Sequence, residues 1–335
     1  MEWIQGIMGS APSVMNLFMY VAITLPFLFI VLGFVTYAIL AERKVMGYIQ
    51  LRHGPNRTGG RFGLLQTVAD VFKLLIKEDL RPKEADRSLF VLAPVIAFVP
   101  SFMVLAVIPF TETLTFANVG IGLLYYIAIS GMTTVGIITA GWASNNKYSL
   151  MGGMRAVAQM ISYEIPLLMS LVGVVLFAGT LNLVEIVEQQ QYIPYILLQP
   201  IGFIVFFIAA LAELNRVPFD LPEAESEIIA GYHVEYSGFR FAFFMLAEYV
   251  YMFAMAALMT VLFLGGWQPI VGLGFIPGFV WFALKFSLIV FVFMWIRSSL
   301  PRLRADQLME FAWKVLLPVA LANIFLSAII KELFF

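Results

Sequence analysis

Residues 243–265 read FFMLAEYVYMFAMAALMTVLFLG, an apolar run that holds one charged residue, Glu248. A run of about 20 apolar residues is long enough to cross the hydrocarbon core of a bilayer as a helix. A lone acid inside it is costly there and faces a bundle interior or a wet cavity by default. The same pattern recurs outward in both directions. Eight spans are predicted, at about 16–40, 90–110, 119–141, 161–181, 193–212, 243–265, 275–297 and 312–331. The composition agrees: 61% of the 335 residues are hydrophobic and 12% charged, against about 25% charged in an ordinary soluble domain. The predicted fold is therefore an all-α polytopic membrane protein, with residues 1–335 forming one integral membrane domain. Prolines well inside the runs (Pro100, Pro166, Pro200 and Pro318) point to kinked helices whose freed carbonyls are satisfied within a bundle.

Charge sets the orientation. Apart from Lys285, Lys314 and Lys331, every Lys and Arg lies in, or at the edge of, the connections after spans 1, 3, 5 and 7. The connections after spans 2, 4 and 6 hold none. By the positive-inside rule the odd-numbered connections are cytoplasmic and both termini face outward. The segment 1–15 lacks the basic start of a secretory signal, so the first span is expected to be retained. In the first connection Leu64, Leu65, Val68, Val71, Phe72, Leu75 and Ile76 recur at helical spacing. This predicts an amphipathic helix, lying on the membrane surface, against a partner, or buried within the subunit.

The chain has no cysteine and two histidines, His53 and His233. Thiolate catalysis, disulfides and cysteine-held iron–sulfur clusters are excluded. No phosphate loop, dinucleotide glycine pattern or nucleophile elbow occurs. The basic first connection is explained by topology and docking rather than by nucleic acid. Gly152-Gly153 suits close helix approach or a turn.

Glu164, Glu248 and Lys285 fall within predicted spans. The two acids are either proton relay points or members of a structural ion pair with Lys285 or with an arginine at a helix end. The segment from Glu213 to Glu235 carries Asp220, Glu223, Glu225 and Glu227 as well, with Arg216 its one basic residue. The acids lack the spacing of a hard-cation loop. A polar cavity lining and a plain hydrated loop both remain open on these grounds.

Longer stretches carry a resemblance. They are Ala41-Glu-Arg-Lys-Val-Met-Gly-Tyr-Ile-Gln-Leu-Arg-His-Gly-Pro-Asn56; Gly141-Trp-Ala-Ser-Asn-Asn-Lys-Tyr-Ser-Leu150 with Ser162-Tyr-Glu164; Ala212-Glu-Leu-Asn-Arg-Val-Pro-Phe-Asp-Leu-Pro-Glu-Ala-Glu225; Gly231-Tyr-His-Val-Glu-Tyr-Ser237; and Trp295-Ile-Arg297. In order and over nearly the whole chain, they resemble the family of H-type membrane subunits found in complex I-type NADH:quinone oxidoreductases. The resemblance implies a component at the heel of the membrane arm, in the bacterial inner membrane, that builds the quinone access cavity and the start of an acidic path to the proton pumps. It implies no catalytic group and no bound metal or cofactor in this chain, with quinone as substrate and FMN and iron–sulfur clusters in partner subunits. The implied partners are the quinone-reducing and terminal-cluster subunits of the peripheral arm, small and antiporter-like membrane subunits, and lipid.

Matched motif by motif, the resemblance assigns Glu42, Arg43, Phe219, Asp220 and Arg297 to the quinone cavity. It assigns Glu164, Glu213, Glu223, Glu225, Glu227 and Glu248 to the proton path. Gly131 stands where some relatives carry a glutamate, which leaves a water or another residue to serve there. The corresponding subunit of a membrane-bound hydrogenase or ferredoxin-driven complex is the nearest alternative. A stand-alone ion-coupled transporter is a third reading, and it expects paired broken helices in two related halves.

Overall fold

The computed structural model describes residues 14–60, 62–112, 114–222, 229–269 and 275–334. Glu223, Glu225 and Glu227, and most of the segment read as an uncleaved start, lie outside them. The described residues are helical, with no strand among them. The helices are α1 (Val14–Ile49), α2 (Gln66–Ile76), α3 (Arg87–Met103), α4 (Gly122–Ala143), α5 (Lys147–Ala178), α6 (Leu183–Glu188), α7 (Tyr195–Leu198), α8 (Pro200–Glu213), α9 (Gly238–Phe263), α10 (Gly278–Ser299), α11 (Ala305–Phe311) and α12 (Leu317–Phe334). A π-helical stretch, Ala312–Leu316, joins α11 to α12.

Seven stretches among the described residues are long and apolar enough to cross a membrane, and each coincides with a predicted span. The exception is the span expected at 193–212. It is broken into α7 and α8, and α8 has 14 residues, about 21 Å at 1.5 Å per residue. Pro200 sits at the start of α8 rather than inside a helix, where its missing N–H costs nothing. The Gln199 side chain secures the break by donating to the Gly173 carbonyl of α5 at 2.7 Å. In the opposite sense α5 begins well before its expected start at 161, because Asn146 caps it by accepting from the Tyr148 N–H at 2.9 Å. Its 32 residues reach about 48 Å, beyond the roughly 30 Å apolar core of a bilayer. Such a helix must tilt or project.

The bundle is centred on α9. From Val250 to Phe263 every residue of this helix is buried, the signature of a helix enclosed on all sides. Ala254, Ala256 and Ala257 let its neighbours approach closely. It packs on α3, α10 and α1, while α5 packs on α4, α8 and α12. The outer faces carry large exposed apolar side chains such as Phe29, Ile30, Leu288 and Phe325. Apolar surface on this scale belongs against lipid rather than water. The chain is a multi-pass membrane protein.

Helix α2 forms where the spacing predicts it. It leans on α1 and α9 and is pinned by Arg43, whose Nη1 lies 2.6 Å from Asp70. Val68, Val71, Phe72, Leu75 and Ile76 nevertheless stay exposed, so this helix is not buried within the subunit.

At the end of the bundle that bears the basic connections, the loops are tied down by polar contacts. Asp86 caps α3 through the Ser88 and Leu89 N–H groups. Arg240 pairs with Asp79 at 3.0 Å, and Asn146 donates to Glu235 at 2.6 Å. Gly152 is required for contact: a Cβ there would come within 2.5 Å of the Gly231 Cα. The turn Gly231–His233 therefore rests directly on α5.

Candidate functional site: a buried ion-pair hub and the acids beside it

The site begins with the way α8 ends. Asn215 adopts a left-handed conformation (φ 51°), its N–H bonds back to Ala212, and the Arg216 N–H bonds back to Leu211. Asparagine tolerates this backbone region better than most residues. The turn sends the chain back over the bundle and drives the Arg216 side chain inward. Gln159 of α5 holds the returning chain by donating to the Ala212 and Phe219 carbonyls, each at 2.7 Å. The Val217–Pro218 peptide is cis.

Arg216 is 1% exposed, the largest fully buried side chain described. Its Nη1 donates to Glu42 Oε2 of α1 at 2.9 Å, and its Nη2 lies 3.2 Å from Glu248 Oε1 of α9. Its guanidinium plane sits 4.7 Å over the Tyr249 ring. The Tyr249 hydroxyl donates to the same Glu42 oxygen at 2.9 Å, and Arg297 of α10 pairs with the other oxygen. Burial alone would penalise the Arg216 charge, but Glu42 and Glu248 more than offset this and raise its pKa above the ordinary arginine value. Two cations and two carboxylates from three helices and a loop thus form one buried network. Its planar donor fork suits arginine and not lysine.

Beside this hub lies a second acid. Glu213, at the last turn of α8, is buried and accepts a hydrogen bond from the Tyr251 hydroxyl at 2.6 Å. A narrow cavity of about 50 Å³ is lined by both Glu213 and Glu248, with Tyr251, Thr133 and Met160 among its other walls. That space can hold ordered water between polar groups. Glu164, half-buried on α5, faces Gly131 of α4: a Cβ at Gly131 would meet its Oε1 at 3.2 Å and nothing else within 4 Å.

The residues expected at the quinone cavity divide. Glu42 and Arg297 join in the hub, in company with Glu248 from the other set. Arg43 points elsewhere, to Asp70. Phe219 is buried against the Tyr163 ring, centroids 5.2 Å apart, and Asp220 pairs with Arg302 at 2.8 Å. Of the expected path residues, Glu213 and Glu248 share the cavity, Glu164 stands nearer α4, and Glu223, Glu225 and Glu227 lie outside the described residues.

Lys285 is not the partner of an acid in the contacts made by its amine. Its Nζ donates to the carbonyls of Leu264, Gly266 and Gln268 at 2.6, 3.1 and 2.7 Å, where it satisfies carbonyls left free beyond the end of α9. The ion-pair reading of Glu248 is thus realised with Arg216 instead. Sequence reasoning missed Arg216, Tyr249, Tyr251 and Gln159. Only Arg216 carried a signal, as the one basic residue in an acidic segment.

His233 is buried between Tyr232 and Phe241, and burial pushes its pKa down to about 4. Among the described residues no group of three or more His, Asp or Glu side chains could hold a metal ion.

Fold and site together define a multi-pass helical membrane protein organised about buried acids and an arginine hub. The family model for NADH dehydrogenase matches residues 21–328. Over 332 residues, 99% of this chain and the full length of each relative, the chain is 70% identical to proteins named as the H subunit of NADH-quinone oxidoreductase from Bacillus cytotoxicus, Bacillus thuringiensis and Bacillus cereus. The chain belongs to the NADH dehydrogenase family.

Proposed function

We propose that this chain is the H-type membrane subunit of an NADH:quinone oxidoreductase, a single membrane domain that walls the quinone access cavity and opens the acidic path from quinone reduction to proton translocation. The observation that carries the reading is the 70% identity along the whole chain to proteins of that name. The geometry supports the finer part. Quinone reduction consumes electrons and protons together, so a neighbouring buried acid feels both the changing charge and the demand for protons. Glu213 and Glu248 share one small cavity, and water there can pass a proton between them. Glu42, Arg297 and Arg216 form a stiff wall, with Phe219 and Asp220 beside it and Arg43 on the outer side towards α2. Glu164 extends the path into the bundle, with Glu223, Glu225 and Glu227 of the acidic segment supplying protons.

On this reading the basic connections face the cytoplasm and both termini face outward. Electrons reach quinone through flavin and iron–sulfur clusters in partner subunits of a peripheral arm. Small and antiporter-like membrane subunits complete the complex within the lipid, and nucleic acid is no partner.

The test is mild-detergent purification of the tagged chain from native membranes, with identification of what accompanies it. Flavin and iron–sulfur subunits together with antiporter-like membrane subunits are the expected company. Hydrogenase subunits in their place would move the assignment to that related class, and a well-folded chain recovered alone would end the redox-partner reading.

A further inference from the structure

The path proposed above runs from Glu213 to Glu164, and the side chains gathered beside Glu213 are hydroxyls. Tyr251 is buried in α9 and donates to Glu213 Oε1 at 2.6 Å. Tyr126 and Ser130 of α4, both buried, adjoin the same Tyr251 hydroxyl. Tyr126 has only a weak further acceptor, Met255 Sδ at 3.9 Å. Residue 131, the next on α4, is the glycine that lies against the Glu164 carboxylate: a Cβ there would meet its Oε1 at 3.2 Å. One acid, a phenol flanked by two more hydroxyls, a glycine and a second acid thus follow one another across α8, α9, α4 and α5. Packing alone does not ask for the two phenols, since phenylalanine would fill the volume of either tyrosine.

We infer that Tyr251, backed by Tyr126 and Ser130, is a proton relay joining Glu213 to Glu164. This inference rests on the acidic path proposed above and names its missing link. A hydroxyl is both donor and acceptor. While Glu213 is ionised, the Tyr251 phenol donates to it. When Glu213 takes up a proton, its carboxyl donates to the phenol oxygen and the phenol proton turns to the oxygen of Tyr126 or Ser130. A proton crosses when the Glu213 O–H bond breaks as a new O–H bond forms on Tyr251, the old Tyr251 O–H bond breaks as one forms on Tyr126 or Ser130, and that hydroxyl releases its own proton, through water, to form the O–H bond of an ionised Glu164 carboxylate. Tyr251 is neutral before and after. Rotation of the phenol resets the relay, and no oxidant or reductant enters.

The experiment uses the whole complex in sealed vesicles and compares wild type, Tyr251→Phe, Tyr126→Phe and Glu213→Gln, with assembly checked by subunit content. NADH oxidation by a water-soluble artificial acceptor should be unchanged in all. Quinone-linked proton pumping should fall about tenfold in Tyr251→Phe, the scale set by losing a hydrogen bond to a charged group. It should fall less in Tyr126→Phe, where Ser130 remains. The pH profile of pumping should also shift in Tyr251→Phe, which a purely structural role would not produce. Wild-type pumping and pH profile in Tyr251→Phe, with Glu213→Gln impaired, would overturn the relay and leave the path intact. Wild-type pumping in Glu213→Gln would remove Glu213 from the path and the relay with it. Should Tyr251→Phe not assemble, Tyr126→Phe combined with Ser130→Ala decides, and wild-type pumping there overturns the relay.

Discussion

Arg216 is the residue on which most of the site depends. A charge buried this deeply persists only because carboxylates surround it, and removing one member of such a network leaves the others charged and unpaired, at a cost of about 3–5 kcal/mol. Arg216→Met is therefore expected to lower the thermal midpoint of the complex and its yield in membranes. Arg216→Lys should recover part of the yield but not the fork that joins Glu42 to Glu248. Equal stability of Arg216→Met and wild type would contradict the network's role. His233 offers a second test at this scale. Its pKa near 4 lies below the ordinary 6.5, so above pH 6.5 it is neutral in both folded and unfolded chains. Between about 6.5 and 4 only the unfolded chain takes up the proton. Stability should hold above pH 6.5 and fall on acidification through that window, by at most about 1.4 kcal/mol per pH unit from this residue. His233→Gln should flatten the slope in a series of thermal melts, and an unchanged slope would acquit His233. The sequence displayed Arg216 as the single base among acids, and Asn215 as a residue suited to a left-handed turn. It could not display the hub, because Glu42 and Arg216 are separated by 174 positions and meet only once the helices are assembled.

At the scale of elements, hydropathy located the spans because burial in lipid requires long apolar runs, and seven of the eight proved long enough to cross. Their ends were less legible. Helix α5 starts at Lys147 because Asn146 caps it, a local signal that a hydropathy window averages away. The break at Gln199–Pro200 reads as a kink in the sequence, since Pro200 stands inside an apolar run, yet in the structure the proline opens a new helix. The glycine pair in the third connection was legible as a close contact, though not its partner. Gly152→Ala places a methyl group 2.5 Å from the Gly231 backbone and should push the Gly231–His233 turn off α5. A loss of about 1–3 kcal/mol is expected, as in other overpacked cores. Faster proteolysis at this turn and a lower melting temperature are the readouts, and wild-type behaviour in both would mean the turn does not need that contact.

For the whole molecule, the segregation of basic residues predicts orientation directly. The native chain has no cysteine, so single cysteines report without background. Tyr192→Cys, in the connection after α6, should react with a membrane-impermeant maleimide in intact cells; Leu80→Cys, in the first basic connection, should react only after permeabilisation. Both side chains are exposed, and the reverse pattern would invert the topology. The same segregation was fully legible in the sequence because it is a property of composition along the chain. The meeting of Glu42 and Glu248 on Arg216 was not, since neither hydropathy nor charge counts specify which faces meet.

The central claim is that buried acids of this chain carry protons on behalf of quinone reduction. Its most direct test is Glu164→Gln in the assembled complex, reconstituted into sealed vesicles with a pH-sensitive dye. Electron input to an artificial acceptor should match wild type, while protons moved per quinone reduced should fall several-fold. Wild-type proton movement in that variant, with assembly confirmed, would contradict the claim.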